Sequence, residues 1–128
     1  MRKLVLATGN GFDVTQTEEI RLIAECGWDG VFTGWDPENY RSLARTVREA
    51  GLLYQSVHAP FHTVHRLWEP GEPGEEELER LLACVRGCAE IGVPIVVMHA
   101  IIGMDRHTPN ELGVERFGKI FAEAKKLG

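Results

Sequence analysis

The stretch Ala89-Glu90-Ile91-Gly92-Val93-Pro94-Ile95-Val96-Val97-Met98-His99 contains a whole helix-to-strand transition. Upstream, Leu78, Leu81, Leu82, Val85 and Ala89 recur at helical spacing and line one face. Gly92 supplies the left-handed stop that commonly closes a helix. Pro94 is tolerable at the first residue of a strand. Ile95 to Met98 is then a short apolar run, and its near-continuous character suits a strand buried on both faces. A strand that follows a helix so directly is one unit of an α/β chain.

Working outward, the same unit recurs. A first helix begins at Thr15, with Glu18 three residues on as in a capping box, and Gly27 ends it. A second begins Asp36-Pro37-Glu38, carries Tyr40, Leu43, Ala44 and Val47 on one stripe, and ends at Gly51. The third begins near Pro73-Gly74-Glu75. The fourth begins Thr108-Pro109-Asn110-Glu111, with Phe117, Ile120, Phe121 and Ala124 as its apolar stripe. Between them lie strand-length runs over 3–7, 30–33, 52–57 and 95–98. Strands alternating with helices imply a parallel sheet. The fold class is α/β: four parallel βα units, half of a (βα)8 TIM barrel, in one domain over 1–128. A full barrel needs roughly 250 residues. The expectation is a chain truncated before a fifth strand, with two paired half-barrels or a doubly wound sheet as the alternatives.

Totals bound the function. The chain has 128 residues, 44% of them apolar, and a formal charge of −5. The acidic balance counts against a surface built to neutralise nucleic-acid phosphates. No apolar run approaches the ~20 residues of a membrane span. The run after Arg2 and Lys3 is too short for a secretory signal. Cys26, Cys84 and Cys88 form no CxxC motif and read as buried or semi-buried reduced thiols, which suits a cytoplasmic protein.

Chemistry in such folds gathers at the C-terminal ends of the strands. After strand one, Thr8-Gly9-Asn10-Gly11-Phe12-Asp13 lacks the third glycine or Lys-Ser/Thr pair of a phosphate loop and reads as a plain loop. After strand two, Asp36 reads as a helix cap, and Trp35 either stacks on a sugar ring or covers the rim. After strand three, His58, His62 and His65 fall within eight residues. His58 stands at the strand end; His62 and His65 read as solvated loop residues. His99 ends strand four. Two histidines ending adjacent parallel strands can face one site, and imidazole is the commonest metal ligand. Asp105 and His107 read as loop or capping residues.

Three segments carry a family likeness: Gly27-Trp28-Asp29-Gly30-Val31-Phe32, Ser56-Val57-His58-Ala59-Pro60-Phe61, and Val93-Pro94-Ile95-Val96-Val97-Met98-His99. In this order they resemble the N-terminal half of the xylose isomerase-like TIM barrels, which include the sugar phosphate isomerases/epimerases and the apurinic endonucleases. The resemblance implies a metal-dependent isomerase or epimerase of a sugar or sugar phosphate, acting by proton transfer next to a carbonyl. The implied cofactor is a divalent metal (Mn, Zn, Mg or Co). In endonuclease-like members the histidines matching His58 and His99 are metal ligands, so these two are the metal candidates. In isomerase and epimerase members the ligands come from later strands. The chain also departs from the pattern at strand two, where many members carry a glutamate near Thr33.

The partner this implies is a small sugar-like substrate, with Trp35, Phe61 and Trp68 as expected contacts; neither nucleic acid nor membrane is expected. The chain by itself is expected to be inactive. A metal phosphodiesterase is the second reading. The third is a non-catalytic half-barrel that self-associates as a homodimer through its open edges.

Overall fold

The computed structural model describes residues 2–103 and 108–128. Four strands, β1 (Val5–Ala7), β2 (Gly30–Gly34), β3 (Leu53–His58) and β4 (Val96–Val97), alternate with four helices. These are α1 (Gln16–Glu25), α2 (Tyr40–Glu49), α3 (Glu72–Ile91) and α4 (Glu111–Leu127). A 3-10 turn, Val64–Trp68, interrupts the long loop before α3. The sheet runs β1-β2-β3-β4 and every neighbouring pair is parallel. Right-handed crossovers in a monotonic order put all the helices on one face, and consecutive helices pack on each other. A doubly wound sheet needs the strand order to reverse, so that alternative falls. The architecture is α/β, half of a TIM barrel.

Local chemistry accounts for the turns. Thr15 and Glu18 form the expected capping box at α1. Gly27, Gly51 and Gly92 stand at φ +84°, +72° and +73°, where a side chain would be strained. The segment from Gly27 to Gly30 is a structural staple. Trp28 packs against the cluster of Ile20, Ile23, Val31, Leu43 and Val47 under α1 and α2. The Asp29 carboxylate accepts from the Leu4 amide and from Lys3 Nζ, both at 2.8 Å. These bonds hold the Asp29 pKa below the usual carboxylate range. Gly30 has no room for a Cβ, because Leu53 and Val5 crowd it from both neighbouring strands.

The core lies between the sheet and its helices. Val57, Val64, Leu67, Leu81, Cys84 and Cys88 are almost wholly buried there. Cys84 hydrogen-bonds Cys88, and that bond together with burial pushes the Cys84 thiol up, so it stays protonated.

Four expectations need correction. The regular part of α2 begins at Tyr40, not at Asp36-Pro37. Asp36 still caps the approach, its carboxylate accepting from the Glu38 and Asn39 amides at 3.0 and 3.1 Å. The run 95–98 is not buried on both faces: Ile95 is 46% and Val97 42% exposed, because the described residues leave the inner face of β4 uncovered. Phe121 is 70% exposed and leaves the stripe of α4 to Phe117, Ile120 and Ala124; Gly113 and Arg116 of the same helix are also buried. Cys26, at the C-cap of α1, is exposed.

Candidate functional site at the strand ends

Register brings the two strand-end histidines together. His58 pairs with Val97 across β3 and β4, and the Ala59 amide donates to Val97 O at 2.9 Å. His99 lies two residues beyond Val97, past the end of β4. The imidazoles meet with Nε2 to Nε2 at 3.1 Å and ring centroids 5.0 Å apart. His58 Nδ1 lies 2.9 Å from Ala59 O. A carbonyl can only accept, so this nitrogen carries the proton, and in the neutral ring Nε2 is the acceptor. In the pair His99 Nε2 is then the donor.

Phe61 forms the wall behind both rings, with centroids 4.9 Å from His58, 5.1 Å from His99 and 4.4 Å from His62. A hollow of about 390 Å³ opens beside it, lined by Thr8, Phe32, Thr33, Trp35, His58, Phe61 and His62 among others. Trp35 touches this hollow, yet most of its indole leans away from the mouth. Gly87 of α3 leaves a space that the ring fills, and Tyr40 packs on it at 4.8 Å. Trp68 faces a second hollow of about 470 Å³ with Met98, His99, Ala100 and Phe117. Its Nε1 donates to Ala100 O at 2.8 Å.

His62 is exposed, as a solvated loop residue should be. His65 differs from that expectation: it is half-buried on the 3-10 turn, with Nε2 4.0 Å from the Glu69 carboxylate. Asp105 and His107 lie outside the described residues.

The loop after β1 has an occupant of its own. Glu19 is buried, and its carboxylate accepts from the Gly9 amide at 2.7 Å, the Asn10 amide at 3.1 Å and Asn10 Nδ2 at 2.9 Å. Amides that would cradle an anion are thus filled internally, which agrees with a plain loop. Sequence reasoning missed Glu19, Glu77 and Arg116. Buried Glu77 accepts from Thr63 Oγ1 at 2.8 Å and from Arg80 at 2.7 Å, which steadies the loop carrying His62. The only trace of Arg116 in the sequence is its place between Leu112 and Ile120, each four residues away on an otherwise apolar ladder.

The histidine pair fits part of a metal site. Tetrahedral zinc with Zn–N near 2.0–2.1 Å sets ligand nitrogens roughly 3.3 Å apart, close to the 3.1 Å seen here. The Nδ1 contact to a backbone carbonyl is the orienting partner that metal-bound histidines usually have. Among the described residues no group of three or more His, Cys, Asp or Glu could hold an ion, so the chain offers two donors of a larger set.

No protein-family model and no curated protein matches the chain. Solved structures do match. The 3-keto-D-glucoside 4-epimerase of E. coli superposes with a TM-score of 0.80 at 17% identity, over 99% of this chain and 54% of its own. A xylose isomerase domain protein from Planctomyces limnophilus gives 0.69 at 12% identity, over 98% and 51%. A sugar phosphate isomerase/epimerase from Parabacteroides distasonis gives 0.62 at 18% identity, over 99% and 49%. The chain thus has the fold of xylose isomerase-like barrels and spans about half the length of the structures it matches.

Proposed function

We propose that this chain is the N-terminal half of a metal-dependent sugar or sugar phosphate isomerase/epimerase, with the His58 and His99 imidazoles facing its mouth. The observation that carries the reading is the 3.1 Å approach of the two Nε2 atoms at the ends of adjacent parallel strands. The activities of the structural neighbours, an epimerase and a sugar phosphate isomerase/epimerase among them, support the substrate class.

The chemistry follows from what the residues can do. Proton transfer next to a carbonyl needs a base, an acid and a means of holding charge on the oxygen. A divalent ion, when bound, polarises the substrate oxygens. His58, with Nδ1–H fixed on Ala59 O, offers Nε2 in one orientation. Phe32, Phe61 and the edge of Trp35 give an apolar wall for the carbon face of a sugar, and they exclude water from that side. Among the described residues no carboxylate lines this hollow, so the base comes from outside it. On this reading the chain alone is inactive. The free edges of β1 and β4 are where further strands, or a second copy, would pair.

The histidine pair also favours a second reading, a metal phosphodiesterase of the apurinic endonuclease kind. The net charge of −5 opposes it.

The deciding experiment is the metal content of the purified chain, by mass spectrometry, beside a His58→Ala/His99→Ala double variant. Stoichiometric zinc or manganese, lost in the variant, would favour the endonuclease-like ligand set. Metal in neither sample would leave the ligands to later strands, and the isomerase/epimerase reading would stand. Assays of the intact gene product on ketoses and on abasic duplex DNA then separate isomerase from phosphodiesterase.

A further inference from the structure

We propose that Trp68 is a positioning residue for the His58–His99 pair, acting through the backbone at Ala100. The inference rests on reading that pair as the functional centre. β4 ends at Val97, and residues 98–100 belong to no strand or helix. His99 itself is exposed. Its own strand therefore does not fix where its ring goes. Hydrogen bonds on either side do: Val97 O accepts from the Ala59 amide at 2.9 Å, and Ala100 O accepts from Trp68 Nε1 at 2.8 Å. The backbone of His99 is clamped between them.

Trp68 is itself held rigidly. Its carbonyl accepts from Asn110 Nδ2, the N-cap of α4, at 2.8 Å. The carbonyls on either side, Leu67 O and Glu69 O, accept from buried Arg116 at 2.8 and 2.6 Å. Its ring lies on Gly113, where a Cβ would overlap it, and packs on Phe117 at 5.7 Å. An indole fixed by α4 and aimed at the residue after His99 is a strut. It transmits the position of α4 to the imidazole. Its one N–H is spent on Ala100 O, which leaves none for a substrate.

The test uses the 128-residue chain, labelled with ¹⁵N at histidine and free of metal. Two replacements keep an apolar ring at position 68 without the N–H: Trp68→Phe, and benzothienylalanine, which preserves the shape and so guards against a folding defect. In the wild type, ring nitrogen shifts are expected to show Nδ1–H on His58 and a donor Nε2 on His99, with ring-to-ring nuclear Overhauser contacts. Both replacements should abolish these contacts and weaken zinc binding, by titration calorimetry, about tenfold or more. Unchanged contacts and unchanged zinc affinity in the benzothienylalanine chain would overturn the strut. If the wild type binds no zinc but the replacements still break the imidazole contact, the strut stands and the metal reading falls.

Discussion

The two faces of this sheet are finished to different degrees. The outer face meets four helices and buries Val31, Val57, Leu81 and Val64 almost completely. The inner face carries Leu53, Ile95 and Val97 at 46%, 46% and 42% exposure, beside the histidine pair and Phe61. Alternation along the strands separates them, and an irregularity in β3 between Tyr54 and Ser56 puts Leu53 on the opposite face from Val57. Val96 leans on the outer core while Val97, next to it, shares the face of His58. The outer face is therefore a completed core, and the inner face is a surface that still has apolar side chains to cover. The mouth lies where the two meet. Its backbone is held by the finished layer, and its wall belongs to the unfinished one.

The largest effect should come from cutting the outer layer. Leu81 is fully buried in the cluster that joins β3, the 3-10 turn, α3 and α4. Leu81→Ala should cost about 3 kcal/mol, from lost transfer energy plus a cavity that the helices cannot fully close. Urea unfolding followed by circular dichroism measures this. A loss below about 1 kcal/mol would mean that the outer layer is as loosely packed as the inner one and would remove the contrast.

A smaller effect should come from the ion pairs around the outer layer. Arg41 of α2 grips Glu90 of α3 at 2.6 and 2.9 Å, and Tyr40 Oη donates to the same carboxylate at 2.7 Å. Arg86 of α3 reaches Glu123 of α4 at 2.6 Å. These partners hold Glu90 and Glu123 below the usual carboxylate range, Glu90 through Arg41 first and Tyr40 second. A folded value depressed below the unfolded one gives stability that is present above about pH 4 and lost as pH falls through the folded value. The pairs are exposed, so the slope should be shallow. The urea midpoint should fall below about pH 4, and Glu90→Gln should flatten that fall. An identical pH dependence in the variant would show that the α2–α3 clamp contributes nothing.

Much of the outer layer was legible in the sequence because it is built from local rules. The Thr15–Glu18 box, the glycine stops and the stripes of α2 and α3 each depend on residues within a turn or two. The histidine pair was legible for a related reason. Strands that follow one another in a parallel sheet usually lie side by side, which brings His58 near the segment that carries His99. What failed to read was set by distant partners. Nothing near Arg116 announces that it will be buried under the carbonyls of Leu67 and Glu69. Nothing near Trp68 points its indole at Ala100 and away from a ligand. The run 95–98 misled in an instructive way: an apolar strand reports what needs covering, and the described residues cover only one side of it.

That last point gives the smallest and most discriminating measurement. Val97 sits on the inner face at the free edge, paired only toward His58. If this face is open in the isolated chain, Val97→Asp removes little burial and adds a solvated charge, so it should change stability by less than about 1 kcal/mol. If a second copy closes over the edge strands, the same charge is forced into an apolar interface and must either keep its water or expel the partner. The variant should then shift the mass by light scattering toward a single chain, and the loss of stability should grow with protein concentration. A wild-type chain that is already monomeric, with Val97→Asp silent in both measurements, would remove self-association from the proposal. The inner face would then stand as a surface completed by something other than a copy of this chain.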